Sequence, residues 1–180
     1  LITSLICGFL HRQLSEQFVV RFSVVLTFAS GVAAWYIFFN SFGQETLRIS
    51  LVNWISSGEF AVTWGLRLDS LSSLMMILIT NISALVQLYS LSYLDSDSNC
   101  ETKERHKARF FSYLSFFTFA MLVLVTSDNL VQLFFGWQAV TVASYLLIGF
   151  YFKKELAIKA AVKAFVVFRV GDFGLLLGII

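Results

Sequence analysis

The feature that most constrains this chain is a succession of long apolar stretches, each close to the ~20 residues that cross ~30 Å of hydrocarbon. Five stand out: Phe18–Phe39, Leu68–Leu94, Phe110–Thr126, Leu130–Phe152 and Leu156–Ile180. A shorter apolar run at Leu1–Leu10 precedes them and reads as the end of another helix. Proline, the strongest helix breaker, is absent from all 180 residues. Only 13% of the residues are charged, against 58% apolar and 17% aromatic, and mean hydropathy is +0.79. That much charge cannot cover a water-facing surface, which excludes a soluble globular enzyme and a disordered chain alike. The expectation is an all-α polytopic membrane protein of about five to six transmembrane helices, a single membrane domain over residues 1–180. The missing initiator Met and the apolar run at the C-terminus are read as marks of a fragment of a longer polypeptide.

The connections alternate in charge. Arg12 and Arg21 flank one; Lys103, Arg105, Lys107 and Arg109 fill another, over residues 95–109; Lys153, Lys154 and Lys159 fill a third. The intervening connections hold only Arg48 and Arg67 in one, and Asp128 without a base in the other. Nine basic residues against two place the basic loops on the cytoplasmic or matrix side by the positive-inside rule. The long outer connection, residues 40–67, shows period-two alternation in Leu47–Trp54 and more loosely in Phe60–Asp69, with Ser56-Ser-Gly-Glu59 as a turn signal between them. This is the pattern of a short β-hairpin between the second and third helices, counting Leu1–Leu10 as the first. An irregular loop with interfacial Trp anchors is the alternative.

Inside a bilayer an ionisable side chain costs about 2.5–3.5 kcal/mol at a helix centre, so each is a functional candidate unless it can snorkel to an end. Lys163, Arg169 and Asp172, all in the last span, meet that condition. Arg169 and Asp172 stand at i,i+3 and share a helix face. They can form a proton-relay pair or a self-neutralising ion pair that fixes packing. Lys163 has no acidic neighbour on its own helix and either snorkels or meets an acceptor elsewhere. Among uncharged groups, Gln87 (near Thr80, Asn81 and Ser83) and Gln138 (near Gly136, Trp137, Thr141 and Ser144) are harder to place as packing glue, because a buried amide needs several partners. Neither can bind and release a proton. Cys7 and Cys100 give no metal or disulfide pattern, and His11 and His106 fall in loops.

Several blocks in collinear order resemble one family. Asp128-Asn-Leu-Val-Gln-Leu-Phe-Phe-Gly-Trp-Gln138, Ala143-Ser-Tyr-Leu-Leu-Ile-Gly-Phe150, Trp64-Gly-x-x-Leu-Asp69, Leu88-Tyr-Ser-x-Ser-Tyr93, Arg109-Phe-Phe-Ser-Tyr-Leu114 and Lys163-Ala-Phe-x-x-x-Arg-Val-Gly-Asp172 are similar to the antiporter-like subunit 5 (L-type chain) of respiratory NADH:quinone oxidoreductase, complex I. The resemblance implies a membrane-arm subunit that helps couple electron transfer from NADH to quinone to proton movement. It implies Asp172, Arg169, Lys163, Gln138 and Gln87 along the polar axis, and a bacterial inner or mitochondrial inner membrane. It also implies no cofactor in this chain, NADH, FMN, iron–sulfur clusters and quinone belonging to other subunits. Partners would be the other membrane subunits and the lipid bilayer, with no nucleic acid. A non-pumping structural subunit and a subunit of a related cation/proton antiporter complex are the alternatives.

The chain departs from the family pattern on that axis. Gln138 stands where the family has a glutamate, followed by Ala139, Val140 and Thr141 in place of Gly-Val-Gly. Gln87 replaces a usual His, and Phe168 a usual Asn. Glutamate to glutamine keeps shape but removes titration, and His to Gln removes a group that titrates near neutrality. Ala139 and Thr141 are expected to push neighbouring helices slightly apart.

Overall fold

The computed structural model describes residues 4, 16–41, 46–57, 60–96 and 106–179. The elements run α1 (Glu16–Ser41), β1 (Leu47–Ser57), β2 (Phe60–Leu68), α2 (Ser70–Ser96), α3 (His106–Val125), α4 (Leu130–Ile148) and α5 (Glu155–Ile179). The apolar run Leu1–Leu10 (Ser4 aside), Arg12, and the loop containing Cys100, Lys103 and Arg105 lie outside the described residues. Among the described residues, four segments are long and apolar enough to cross a bilayer: Phe18–Ser41, Ser70–Leu94, His106–Val125 and Leu130–Ile148. The fifth expected span is a helix of sufficient length, α5 with 25 residues. It is set apart from the other four by its interior charges, Lys163, Arg169 and Asp172, rather than by fewer apolar residues.

Local chemistry explains the helix boundaries. Asp69 starts α2 by accepting the Ser72 backbone N–H on Oδ1 at 2.6 Å. Asn129 does the same for α4, accepting from the Gln132 N–H at 2.8 Å. Gly149 ends α4, its N–H turned back to the Tyr145 carbonyl at 3.0 Å. The basic inner loop is shorter than residues 95–109, because α2 runs on to Ser96 and α3 begins at His106. Nothing in Lys107-Ala-Arg109 breaks a helix, so the helix extends into the basic segment.

In the bundle, α1 packs on α2, both pack on α3, α4 packs on α3, and α5 packs on α4. The two ends of the bundle have separate apolar clusters. One joins Val20, Val24, Leu94, Phe111 and Phe150, with Phe110, Tyr113 and Tyr151 around them. The other joins Ala34, Met76 and Ile77, with Phe38, Leu68 and Leu122. The start of α1, end of α2, start of α3 and end of α4 thus share one end, which is also where Arg109 and Lys154 lie over the rings of Phe152 and Tyr151. The helices alternate in direction as the charge pattern of the loops requires. Helices α3 and α4 come into backbone contact at Gly136, where an added Cβ would meet the Leu124 Cα at 2.8 Å and its N at 2.9 Å. Thr141, expected to spread the helices, is buried and turns its hydroxyl to the Trp137 carbonyl of its own helix at 3.1 Å.

The outer segment is a two-stranded antiparallel hairpin, Leu47 pairing with Leu68 and Ser57 with Phe60. Register shifts between Ser50 and Val52 and between Asn53 and Ile55 mark bulges that interrupt the alternation seen in the sequence. The hairpin is fastened to the start of α4. Gln132, almost fully buried, accepts the Gly65 N–H on Oε1 at 3.1 Å and donates Nε2 to the Gly65 carbonyl at 2.8 Å. Its amide reproduces both hydrogen bonds of a strand neighbour. Asn129 donates to the Thr63 carbonyl at 2.7 Å, and the Arg67 N–H donates to the Thr126 carbonyl at 2.9 Å. Trp54, Trp64 and Phe135 close the join edge to face, with ring centroids 5.3–5.9 Å apart.

Candidate functional site

Two groups of polar side chains lie within the bundle. The first sits where α1, α2 and α3 meet, between the two apolar end clusters. Gln87 of α2 is its hub and is fully buried. Its Oε1 accepts from the Thr27 hydroxyl at 3.0 Å and from the Ser23 hydroxyl at 3.4 Å, and its Nε2 donates to the Ser115 hydroxyl at 3.3 Å. Ser23 and Ser115 are themselves bonded at 2.9 Å. One turn along, Ser83 bonds Thr118. Sequence alone singled out Gln87 but not its partners, though Ser23/Thr27, Ser83/Gln87 and Ser115/Thr118 stand at helical spacing. Every member is uncharged, so the seam can order water or pass a hydrogen bond but cannot store a proton.

The second group lies between α4 and α5 and contains charge. Asp172 is buried, its side chain 6% exposed, although it sits in the middle of an apolar stretch. Its Oδ1 accepts the Trp137 indole N–H at 2.8 Å. Its Oδ2 lies 3.3 Å from Nη1 of Arg169, an ion-pair contact without hydrogen-bond geometry. The same Nη1 donates to Oε1 of Gln138 at 2.8 Å. The Arg169 guanidinium carbon also stands 4.7 Å from the ring centre of Phe165, a cation–π contact from one turn earlier on the same helix. Helix periodicity produces half of this arrangement, since Phe165, Arg169 and Asp172 are four and three residues apart. Packing of α4 on α5 produces the rest by presenting the neighbouring Trp137 and Gln138. The result is a neutral unit in which one guanidinium stands between a carboxylate and an amide.

Of the five sequence candidates, Asp172, Arg169 and Gln138 come together. Gln87 stays apart, because α3 intervenes between its seam and α4. The five candidates thus divide between a charged group at the α4–α5 contact, an uncharged group around Gln87, and Lys163 apart from both. Lys163 joins neither: it is exposed, and nine residues before Asp172 places it about 180° around the helix. Sequence reasoning had noted Trp137 only as a neighbour of Gln138, and missed Gln132 entirely. Among the described residues no three His, Cys, Asp or Glu side chains form a metal-binding group.

Comparison with known proteins agrees with the motifs. Residues 54–111 match the family described as NADH-ubiquinone oxidoreductase (complex I), chain 5 N-terminus. Residues 127–180 match the NADH:quinone oxidoreductase/Mrp antiporter transmembrane family. NADH-quinone oxidoreductase subunit L of Rhodobacter capsulatus is 55% identical over 179 residues, which is 99% of this chain and 25% of that one. NADH-ubiquinone oxidoreductase chain 5 of Chondrus crispus is 46% identical over 180 residues, 99% of this chain and 26% of its own length. The chain thus spans about a quarter of the curated relatives it matches. In fold it is similar to a chain of the Mrp complex from Dietzia sp. DQ12-45-1b, with a TM-score of 0.72 at 23% identity, over 97% of this chain and 17% of that one. By its motifs, its two matched segments and its relatives, this chain is similar to the antiporter-like chain 5, or subunit L, of complex I.

Proposed function

We propose that the chain serves proton translocation in the membrane arm of NADH:quinone oxidoreductase, coupled to electron transfer from NADH to quinone. Its setting is a bacterial inner or mitochondrial inner membrane, with the basic loops on the cytoplasmic or matrix side. The relatives are named as parts of that oxidoreductase, which makes other membrane subunits the natural partners; in this proposal NADH, FMN, iron–sulfur clusters and quinone belong to other chains. The observation that carries the proposal is the buried, mid-helix Asp172 facing Arg169. A carboxylate and a guanidinium are expensive to keep within an apolar helix, and this pair shares its cation with a second helix. Asp172 is the member able to take a proton, at Oδ2, the oxygen that holds no hydrogen bond. Protonation there removes the counter-ion of Arg169 and leaves its guanidinium to Gln138, so a local charge change alters the α4–α5 contact.

The test uses the subunit L of Rhodobacter capsulatus with this chain grafted over the matching 179 residues. Vesicles carrying the graft should build a proton gradient on NADH oxidation, and Gln138→Glu, which restores an acid beside Arg169, should raise the protons moved per electron. An unchanged ratio in Gln138→Glu would count against position 138 as a lost proton site. A non-pumping structural subunit is the second possibility, and one observation favours it: the partner of Arg169 on α4 is an amide that cannot titrate. NADH oxidation without any proton gradient in the graft would select it. The related cation/proton antiporter has behind it a likeness of fold and the family match over residues 127–180, a family it shares with the oxidoreductase.

A further inference from the structure

We propose that Trp137 is a positioning residue for Asp172, and that its indole N–H, rather than the neighbouring arginine, fixes where that carboxylate points. The proposal rests on the proton-translocating role suggested above and adds a residue to it.

The distribution of hydrogen bonds carries the inference. Asp172 has one formal cation beside it, yet among the described residues no hydrogen bond joins the two. Arg169 spends its short 2.8 Å hydrogen bond on the neutral Gln138 amide and approaches Asp172 Oδ2 only to 3.3 Å. The hydrogen bond that Asp172 does accept comes from Trp137 Nε1 at 2.8 Å, across the α4–α5 interface. A tryptophan N–H suits this task, since it donates, never accepts, and has no charge of its own to titrate. It therefore holds Oδ1 whether Asp172 is ionised or protonated at Oδ2. The carboxyl group stays aimed at Arg169 through the exchange, and the guanidinium is free to shift between Asp172 and Gln138.

The backbone beneath Trp137 is held for the same purpose. Gly136, one residue earlier, seats α4 against the Leu124 backbone of α3, and the Thr141 hydroxyl caps the Trp137 carbonyl from one turn later. Trp137 is 42% exposed as a residue, yet its N–H edge is turned to the buried Asp172. An exposed tryptophan kept only for packing has no need to turn that edge toward a carboxylate.

Three variants in the grafted complex test the assignment: Trp137→Phe, Trp137 replaced by 3-benzothienylalanine (the same shape with sulfur in place of N–H), and Asp172→Asn. Loss of one hydrogen bond to a charged group should slow NADH-driven proton uptake roughly ten-fold in both position-137 variants, with NADH oxidation and assembly retained. Combining the benzothienyl variant with Asp172→Asn should slow uptake no further than Asp172→Asn alone. The indole N–H vibration of Trp137, read by ultraviolet resonance Raman as wild type minus Trp137→Phe, should shift in an Asp172→Ala background. Wild-type uptake in the benzothienyl variant, when Asp172→Asn is impaired, overturns the role of Trp137 alone; so does an unshifted indole band. Wild-type uptake in Asp172→Asn overturns the proton-translocating role and, with it, the place of Trp137 in it.

Discussion

At the scale of single residues, the interior is held by polar contacts and close backbone approach as much as by greasy packing. Lipid tails are as apolar as leucine, so helix association in a bilayer leans on van der Waals fit and interhelical hydrogen bonds. Gln87 links three helices through Ser23, Thr27 and Ser115. Gln87→Leu leaves those hydroxyls short of a partner and should lower thermal stability in detergent by about 1–2 kcal/mol, while Gln87→His, which can still bond them, should cost less. Gly136→Ala should cost more, about 1–3 kcal/mol, because the new methyl would sit 2.8 Å from the Leu124 Cα, and backbone cannot swing aside. A thermal-shift assay of the purified protein ranks the three. The pairing of Arg169 with Asp172 was legible in the sequence because it is set by spacing along one helix. The tie from Arg169 to Gln138 was not, because it depends on how α4 turns against α5. Gln87 was recognisable as a group needing partners, whereas the partners lie 28 to 64 residues away.

Elements show the same division between local and distant causes. The hairpin was legible from alternation and a turn signal. Its two bulges were not, since they depend on how β1 meets β2, and neither was its attachment to α4. Gln132 holds that attachment by reading both polar atoms of the Gly65 peptide. In Gln132→Ala, amide hydrogen exchange should rise across Leu47–Leu68 while α1 and α2 keep their protection; unchanged exchange at Gly65 would show that the aromatic contacts suffice. The start of α2 carries a pH signature. Hydrogen bonds from the Ser72 backbone and side chain hold the Asp69 carboxyl below its ordinary range; burial opposes them by less, and the Arg67 charge adds a smaller lowering still. A lowered pKa in the folded state means a contribution that is present above the unfolded value of about 3.9 and lost as pH falls through the folded one. Asn caps as well as Asp but does not titrate. Stability measured from pH 7 down to pH 3 should therefore fall more steeply for the wild type than for Asp69→Asn. Asp69→Ala should lose about 1 kcal/mol at pH 7.

For the molecule as a whole, charge in the loops and polarity between the helices serve different ends. The loops set direction: helix ends that adjoin basic connections gather at one end of the bundle, and the hairpin sits with the α3–α4 connection at the other. The interior polar groups are divided by α3 into an uncharged seam and a charged cluster, the latter alone having a group that can carry a proton. The succession of apolar stretches made the membrane and the helices legible, with α5 the informative exception: it is as apolar as its neighbours but carries three charges in its interior, two of them the ion pair of the cluster. What composition could not convey was that Lys163, in the same helix, faces away from Asp172. The measurement that bears most directly on the central claim is the ratio of protons translocated to electrons passed by the grafted complex with Asp172→Asn. A clear fall in that ratio, with assembly and NADH oxidation preserved, is expected. A ratio equal to that of the unsubstituted graft, or loss of the complex itself, would contradict it and leave Asp172 as a packing residue.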